Sequence, residues 1–286
     1  MDTELARTFI AILEAGTFLR AAERLHVTQS TVSARVRSLE EQLGSVLFAR
    51  NRGGAVPTAA GQRFRRHAVA LLQAVEHARQ DVGIPDGFRA LLTIGGRFGL
   101  WEHLLLDWLP LMRRAVPDVA VRAEIGYEED LMQHLIEGRL DIGVMYTPQS
   151  RPGLIVERLL EEELVLVSSD ERAPPEPASG YVYVDWGPEF RSRHSNAFPQ
   201  FGGPEIIAGI GWLGLQHILS AGGAGYFPTR LARTHIAAGR LFVVDAAPRF
   251  SLPAYTVQSA QADTALLASA LHILRDLARR TEDQGI

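Results

Sequence analysis

Cysteine is absent from the 286 residues, so neither a disulfide nor a thiolate metal site can form. Lysine is absent as well, and all 29 residues of the Lys+Arg class are arginine. Any contact with phosphate must therefore come from guanidinium groups, hydroxyls or backbone amides. No apolar run approaches the ~18 residues that a membrane-crossing helix needs. The opening Met1-Asp2-Thr3-Glu4 lacks the basic start of a secretory signal, so a cytoplasmic chain with no membrane partner is expected. The nine histidines include no His-x-x-x-His pair, and no metal is expected. Gly-x-Ser-x-Gly and phosphate-loop sequences are missing, and Ser-x-x-Lys is impossible without lysine. With no convergent acid, base and nucleophile, the reading is of a chain with no catalytic residues and no cofactor, not an enzyme.

What is present is uneven charge. The whole chain carries −4, but residues 1–66 hold ten Arg against six acids, a surplus of four, while the remainder holds 19 Arg against 27 acids, a deficit of eight. A basic head on an acidic body fits a nucleic-acid module joined to something else. In the head, Leu5, Phe9, Ile12 and Leu13 recur at helical spacing until Gly16. Thr17 caps a second helix, about 18–25, that buries Ala21, Ala22 and Leu25. After the short His26-Val27 connection, Thr28 caps a third helix with the stripe Val32, Val36, Leu39 and Leu43, stopped by Gly44.

Two helices on a tight turn form a helix-turn-helix. If the stripe points inward, Gln29, Ser30, Ser33 and Arg37 point away, mostly at the end of a recognition helix that reaches base edges. Gln can bond adenine in two places and Ser can serve any base. Residues 45–57 read as a wing anchored by Val46, Leu47 and Phe48, with Arg50 and Arg52 flanking Gly53-Gly54. Arg20, Thr28, Thr31, Arg35, Arg50 and Arg52 complete the candidate DNA-binding set by holding phosphate or entering a minor groove. From Thr58 a long helix is expected to about Val82. Its apolar positions Phe64, Ala68, Leu71, Val75, Ala78 and Val82 are spaced 4, 3, 4, 3, 4, a heptad seam suited to a partner chain.

Beyond the hinge Pro85-Asp86-Gly87, apolar runs alternate with amphipathic stretches. Strands are expected at Leu91–Gly95, Val119–Ile125 and Ile142–Met145, with helices at Leu100–Arg114 and Glu128–Glu137. This alternation implies a mostly parallel α/β sheet. A second unit follows strand Glu163–Val167, with strands near Tyr181–Val184 and Ile206–Ile207 and a helix from about Trp212. The chain returns to the first unit near Ala254–Val257 and ends in a helix, about Asp263–Arg280.

The run Thr17–Ser33, then Leu39-Glu40-Glu41-Gln42-Leu43-Gly44, Leu47-Phe48-Ala49-Arg50 and Thr58-Ala59-Ala60-Gly61, resembles the LysR-type transcriptional regulators. So do Glu137–Gly143, Glu163–Val167 and Gly222–Leu231, which extends the resemblance over nearly the whole chain. Leu19 departs from the pattern where Ser or Thr is usual, and Pro57 where Leu is usual. The resemblance implies a winged helix-turn-helix at 1–57, a linker and dimerisation helix at 58–84, and an effector-binding domain at 85–286. The last would have two α/β subdomains, like periplasmic binding proteins: I at about 90–161 and 254–286, II at about 162–253. It further implies double-stranded promoter DNA as partner, a small-molecule effector between the subdomains, and dimers or tetramers.

Ligands of open α/β sheets sit beyond the C-terminal strand ends. That rule nominates Gly96, Arg97, Phe98 and Trp101 after the first strand and Met145, Tyr146 and Thr147 after the third. In the second unit it nominates Trp186, Glu189, Phe190, His194 and Gly211. Arg97 at a helix start suits a carboxylate. The family's usual Ser or Thr is missing from Gly95–Leu100, which points to an aromatic or larger acidic ligand rather than a simple aliphatic acid. Gly209-Ile210-Gly211-Trp212-Leu213-Gly214 has the Gly-x-Gly-x-x-Gly form, but it falls late in the chain with no acidic residue suitably beyond it, so a Gly-lined cleft wall is the better reading. The competing readings are an effector-independent regulator of the same family and a solute-binding module with no gene-control role. The latter leaves the basic head unexplained.

Overall fold

The computed structural model describes residues 2–51, 54–260 and 264–283. The head opens with α1 (Thr3–Ala15), whose first turn is capped by the Asp2 carboxylate and whose end is set by Gly16 at φ 72°. Thr17 caps α2 (Phe18–Arg24) and Thr28 caps α3 (Gln29–Leu43), each by accepting a backbone N–H. Val32, Val36 and Leu39 are buried as the stripe requires. Leu43 is not: it is 39% exposed, because the left-handed Gly44 ends the helix before a further turn can pack. Strands β1 (Phe48–Asn51) and β2 (Gly54–Pro57) pair antiparallel as the wing. Leu47 and Phe48 anchor it, whereas Val46 is 62% exposed and anchors nothing.

Helix α4 (Ala59–Val82) starts on the Thr58 hydroxyl, which accepts from Gly61 N–H at 3.1 Å. Pro57 stays in β2, opposite Phe48, outside the helix it would break. The heptad seam is divided between uses. Phe64 and Ala68 are buried in the head's own core, with the Phe64 ring 5.0 Å from Phe9. Leu71 and Val75 are half-buried, Ala78 is exposed and Val82 is 91% exposed. The six positions thus do not form one open face.

The body is built on a seven-stranded mixed sheet in the order β10 (Phe242–Val243), β6 (Leu154–Ser168), β11 (Phe250–Ser259), β5 (Ile142–Met145), β3 (Ala90–Gly96) and β4 (Val119–Ile125), with β9 (Ala224–Pro228) also pairing β6. Strands β3 (Ala90–Gly96), β4 (Val119–Ile125) and β5 (Ile142–Met145) pair in parallel about β3, with α7 (Glu128–Glu137) between β4 and β5. Strand β6 (Leu154–Ser168) is far longer than Glu163–Val167. It runs antiparallel to β11 (Phe250–Ser259) from Leu154 opposite Ser259 to Leu164 opposite Phe250, so these two strands cross between the units. The second unit adds β7 (Val182–Val184), α8 (Pro188–Ala197), β8 (Ile206–Ala208), α9 (Gly211–Ala221), β9 (Ala224–Pro228), α10 (Thr229–Ala237) and β10 (Phe242–Val243). The last helix, α11 (Thr264–Asp283), lays Trp108 against itself, and Trp108 Nε1–H donates to Ala270 O at 3.0 Å.

The helix expected at Leu100–Arg114 is broken. A single turn α5 (Phe98–Leu100) is followed by Glu102 at ψ 127° and His103 at φ 56°, and regular helix resumes only at α6 (Leu106–Ala115). A side chain from the other unit supports the break. The Arg230 guanidinium donates to Gly99 O at 2.7 Å and to Glu102 O, and its Nε donates to Glu162 Oε1 at 2.7 Å. The Tyr146 hydroxyl donates to the other Glu162 oxygen at 2.7 Å. Burial works against the charge on Arg230, yet Glu162, Tyr146 and Glu102 together more than offset it and hold the guanidinium above its ordinary pKa.

Candidate functional site

Two surfaces gather candidate residues. On the head, the start of α3 faces outward: Gln29, Ser30 and Arg37 are exposed, and Thr31 and Ser33 half-buried. The Thr28 hydroxyl contacts the hydroxyls of Ser30 at 2.8 Å and Thr31 at 2.9 Å, so three hydroxyls cluster at a helix N-terminus. That end carries unsatisfied N–H groups and a positive dipole, which favour phosphate. Arg20 is exposed on α2. Arg35 is turned the other way, 3.2 Å from Glu4 Oε2 and 3.3 Å from Thr8 Oγ1, which anchors α3 to α1 instead of leaving it free for phosphate. Arg50 lies on β1 opposite Ala55, and Arg52 lies outside the described residues.

The second surface is a cavity of about 200 Å³ between the two units of the body. Arg97, Phe98, Tyr146, Trp186 and Gly211 line it, and Thr147 joins them in the adjoining part of the cleft. Sequence reasoning missed Ile125, Gly126, Tyr127 and Asp130. These come from the end of β4 and the start of α7, the C-terminal end of a strand to which the same topological rule applied. It also missed Asp185 on the facing unit, whereas Gly209 and Ile210 belong to the glycine-rich segment expected as a cleft wall, and both line the cavity.

The other nominees do not line this cavity. Gly96 packs on Leu105 and Trp101, where a Cβ would come within 2.5 Å of Leu105 Cδ1. The Trp101 indole is buried and its N–H donates to Glu124 O at 3.1 Å. Met145 is buried under α7 with Leu131 and Leu135. Glu189 is exposed on α8, 3.7 Å from Arg193. Phe190 and His194 lie in an aromatic cluster with Tyr181, Tyr183, Tyr226 and Phe250. Alternation along a helix start cannot tell a residue aimed into a cleft from one aimed into the core beneath it.

Within the cavity, Arg97 stacks on the Tyr127 ring, its central carbon 4.7 Å from the centroid, and its Nε lies 3.2 Å from Glu128. That Nε–H is not aligned for a hydrogen bond and is buried without making one. The Tyr146 and Trp186 rings meet edge to face at 6.2 Å, and their polar ends are occupied, the Trp186 N–H by Tyr226 O at 2.9 Å. Burial, reinforced by Glu162, holds the Tyr146 phenol far above its ordinary pKa, so it stays a neutral donor. Phe98, which lines the cavity, approaches Trp212 to 6.0 Å between ring centres. Gly211 has no room for a side chain, because a Cβ would lie 2.3 Å from the Trp186 ring.

His194 gives a testable pH dependence. Its Nε2 is 2.8 Å from the Tyr181 hydroxyl, and burial lowers its pKa below 6.5. The folded chain therefore holds it neutral, while the unfolded chain binds a proton from about pH 6.5 downward. Its contribution is complete above that pH and is lost as the pH falls from there towards the depressed folded value. Thermal melting should decline between pH 7.5 and 5.5, and His194→Phe should flatten that decline. An unchanged slope would refute the role.

One element belongs to both surfaces. The first turn of α7 lines the cleft, while its far half is joined to the head. Gln133 accepts from Arg24 of α2 at 2.7 Å, and Leu135 O accepts from Gln73 of α4 at 3.1 Å. Gly138 O accepts from Gln80 at 3.2 Å, and Ile136 is buried in the head's core. Arg24 also pairs with Glu14 at 2.9 Å; burial raises the Glu14 pKa, and Arg24 and Arg151 draw it back.

No group of His, Asp or Glu that could hold a metal occurs among the described residues, nor a helix long and apolar enough to cross a membrane. Residues 3–62 match the family model described as "Bacterial regulatory helix-turn-helix protein, lysR family", and residues 85–193 match "LysR substrate binding domain". The HTH-type transcriptional regulator HdfR of Yersinia pestis (strain Pestoides F) is 31% identical over 239 residues, 80% of this chain and 81% of the relative. The crystal structure of ArgP from Mycobacterium tuberculosis superposes with a TM-score of 0.58 at 23% identity, over 97% of each chain. Full-length LysG from Corynebacterium glutamicum, with the effector Arg bound, gives a TM-score of 0.56 at 19% identity over 98% of this chain and 99% of that one. At those identities the two structures speak for the fold.

Proposed function

Because the chain belongs to the LysR family of bacterial transcriptional regulators, we propose that it binds promoter DNA through the start of α3 and that a small molecule in the body's cleft controls this binding. The observation that carries the DNA reading is the outward polar turn that begins at Thr28, where Gln29, Ser30, Ser33 and Arg37 stand clear of the buried Val32, Val36 and Leu39. Gln29, Ser30, Ser33 and Arg37 would read bases, and Arg20, Thr28, Thr31, Arg50 and Arg52 would hold phosphate. A boundary near residue 57 and a linker over 58–84 suit this division. The exposed end of α4, with Ala78 and Val82, is then left for a partner chain in a dimer or tetramer.

The cleft reading rests on Arg97, which carries a buried N–H that makes no hydrogen bond, beside a cavity lined from both units. A ligand that draws Arg97 from Glu128 would act on the first turn of α7, and α7 is bonded at its other end to α2 and α4. Cleft and head are therefore mechanically joined, as a two-state response requires.

The test uses genomic fragments retained by the full chain and a gel-shift titration. Gln29→Ala and Ser33→Ala should each weaken the retained fragment by about 1–3 kcal/mol, roughly 5- to 150-fold, while random DNA of equal length is bound as before. Equal loss on both DNAs would remove the base-reading role.

A further inference from the structure

We infer that the cleft takes an aromatic α-amino acid: the pairing of charges around Arg97 and the aromatic walls favour a zwitterion over a simple carboxylate. The inference rests on the proposal above that the cleft binds a ligand. Arg97 is already accompanied by Glu128 at 3.2 Å. Asp185 is neutralised by Arg191 at 2.5 Å and also accepts from Gly187 N–H at 3.1 Å. Asp130 lines the same cavity and makes no ion pair or side-chain hydrogen bond among the described residues. The lining thus holds one cation with its own counter-ion and one spare carboxylate. A ligand bearing only a carboxylate would reach Arg97 but sit beside the half-buried Glu128 and the exposed Asp130, and like charges repel. A ligand bearing only an amine would satisfy Asp130 and face Arg97. An α-amino acid offers its carboxylate to the free donors of Arg97 and its ammonium to Asp130, so both ends are compensated.

The walls select the side chain. Tyr146 and Trp186 have their polar ends committed to Glu162 and Tyr226 O, so they present ring surface to the cavity. Phe98 adds a third ring to the lining and packs on Trp212 at 6.0 Å between ring centres. Gly99, Gly209 and Gly211 contribute backbone alone to the lining. Aromatic rings pack edge to face or offset against such walls, and about 200 Å³ limits the ligand to one ring system.

Titration calorimetry on the full chain with L-phenylalanine, L-tryptophan, phenylacetate and phenethylamine tests this. At least one of the two amino acids should bind, and the acid-only and amine-only probes should bind it at least tenfold more weakly or not at all. Asp130→Asn should weaken the amino acid at least tenfold while leaving phenylacetate no weaker. Phenylacetate binding as tightly as the amino acids, no response to Asp130→Asn, or no binding of either amino acid would each overturn the inference. Thermal shift with aliphatic and dicarboxylic acids separates the two failures. If one of those stabilises the chain and alters DNA retardation, the cleft reading stands and only the ligand class falls. If no compound of any class does so, both fall.

Discussion

Replacing Arg230 with Met is expected to cost about 3–5 kcal/mol of folding stability, the range for removing one partner of a buried ion pair. The side chains of Arg230 and Glu162 are each only 4% exposed. Met can fill the space of the guanidinium stem, but it leaves the Glu162 carboxylate facing apolar surroundings with the Tyr146 hydroxyl as its one donor. Gly99 O and Glu102 O, released by the break after α5, lose their donors as well. Urea unfolding measures the loss. The double variant R230M/E162L should recover more than half of it, since the uncompensated charge leaves with its partner and the remaining cost is an unpaired tyrosine hydroxyl. A loss below about 1 kcal/mol in the single variant would mean that the pair is reached by water and does not hold the break. Because Tyr146 also lines the cleft, the same cluster sets that wall's position, so the two units of the body are fastened beside the cavity.

That cluster shows where the sequence stops being informative. The head was legible because each helix carries its own signals: Thr17 and Thr28 as caps, Gly16 and Gly44 as stops, and a stripe of Val32, Val36 and Leu39 that points the other face outward. The alternation of strand and helix through α7 was legible for the same local reason. Arg230 lies 68 residues from Glu162 and 131 from Gly99, and nothing local distinguishes it from the exposed arginines. The broken helix was hidden too, since the periodicity of Leu100, Leu104 and Trp108 continues across it and all three residues are buried. In the cleft, strand ends predicted the right level of the sheet but not the direction of each side chain. Arg97 and Phe98 line the cavity, whereas Trp101 one turn later is buried against Glu124. The heptad on α4 carries a related ambiguity. A stripe of apolar residues reports that a face is covered, and here α1 covers Phe64 and Ala68 within the same chain.

The joint between head and body yields the second large effect, expected from Gly138→Ala. Gly138 ends α7 at φ 75°, where a residue with a Cβ is strained by about 1–2 kcal/mol. The added Cβ would also lie 2.7 Å from Gln73 Cα, a backbone atom of α4 that cannot rotate away. The helices must separate, adding a cost of about 1–3 kcal/mol as overpacking does. Gly239→Ala is the matched control: its φ is 68° and nothing lies within 4 Å of the new Cβ, so it carries the strain alone. Gly138→Ala should therefore lower the melting temperature further than Gly239→Ala. It should also speed amide exchange in the C-terminal half of α7 and the middle of α4 while leaving α3 and α11 protected. With α7 released from Gln73, and with it the contacts of Gln133 to Arg24 and of Gly138 to Gln80 loosened, a cleft ligand would still bind but would no longer alter DNA retardation. Equal melting shifts in the two variants would show that α4 and α7 are not held at this contact, and the route from cleft to head through α7 would fail with it.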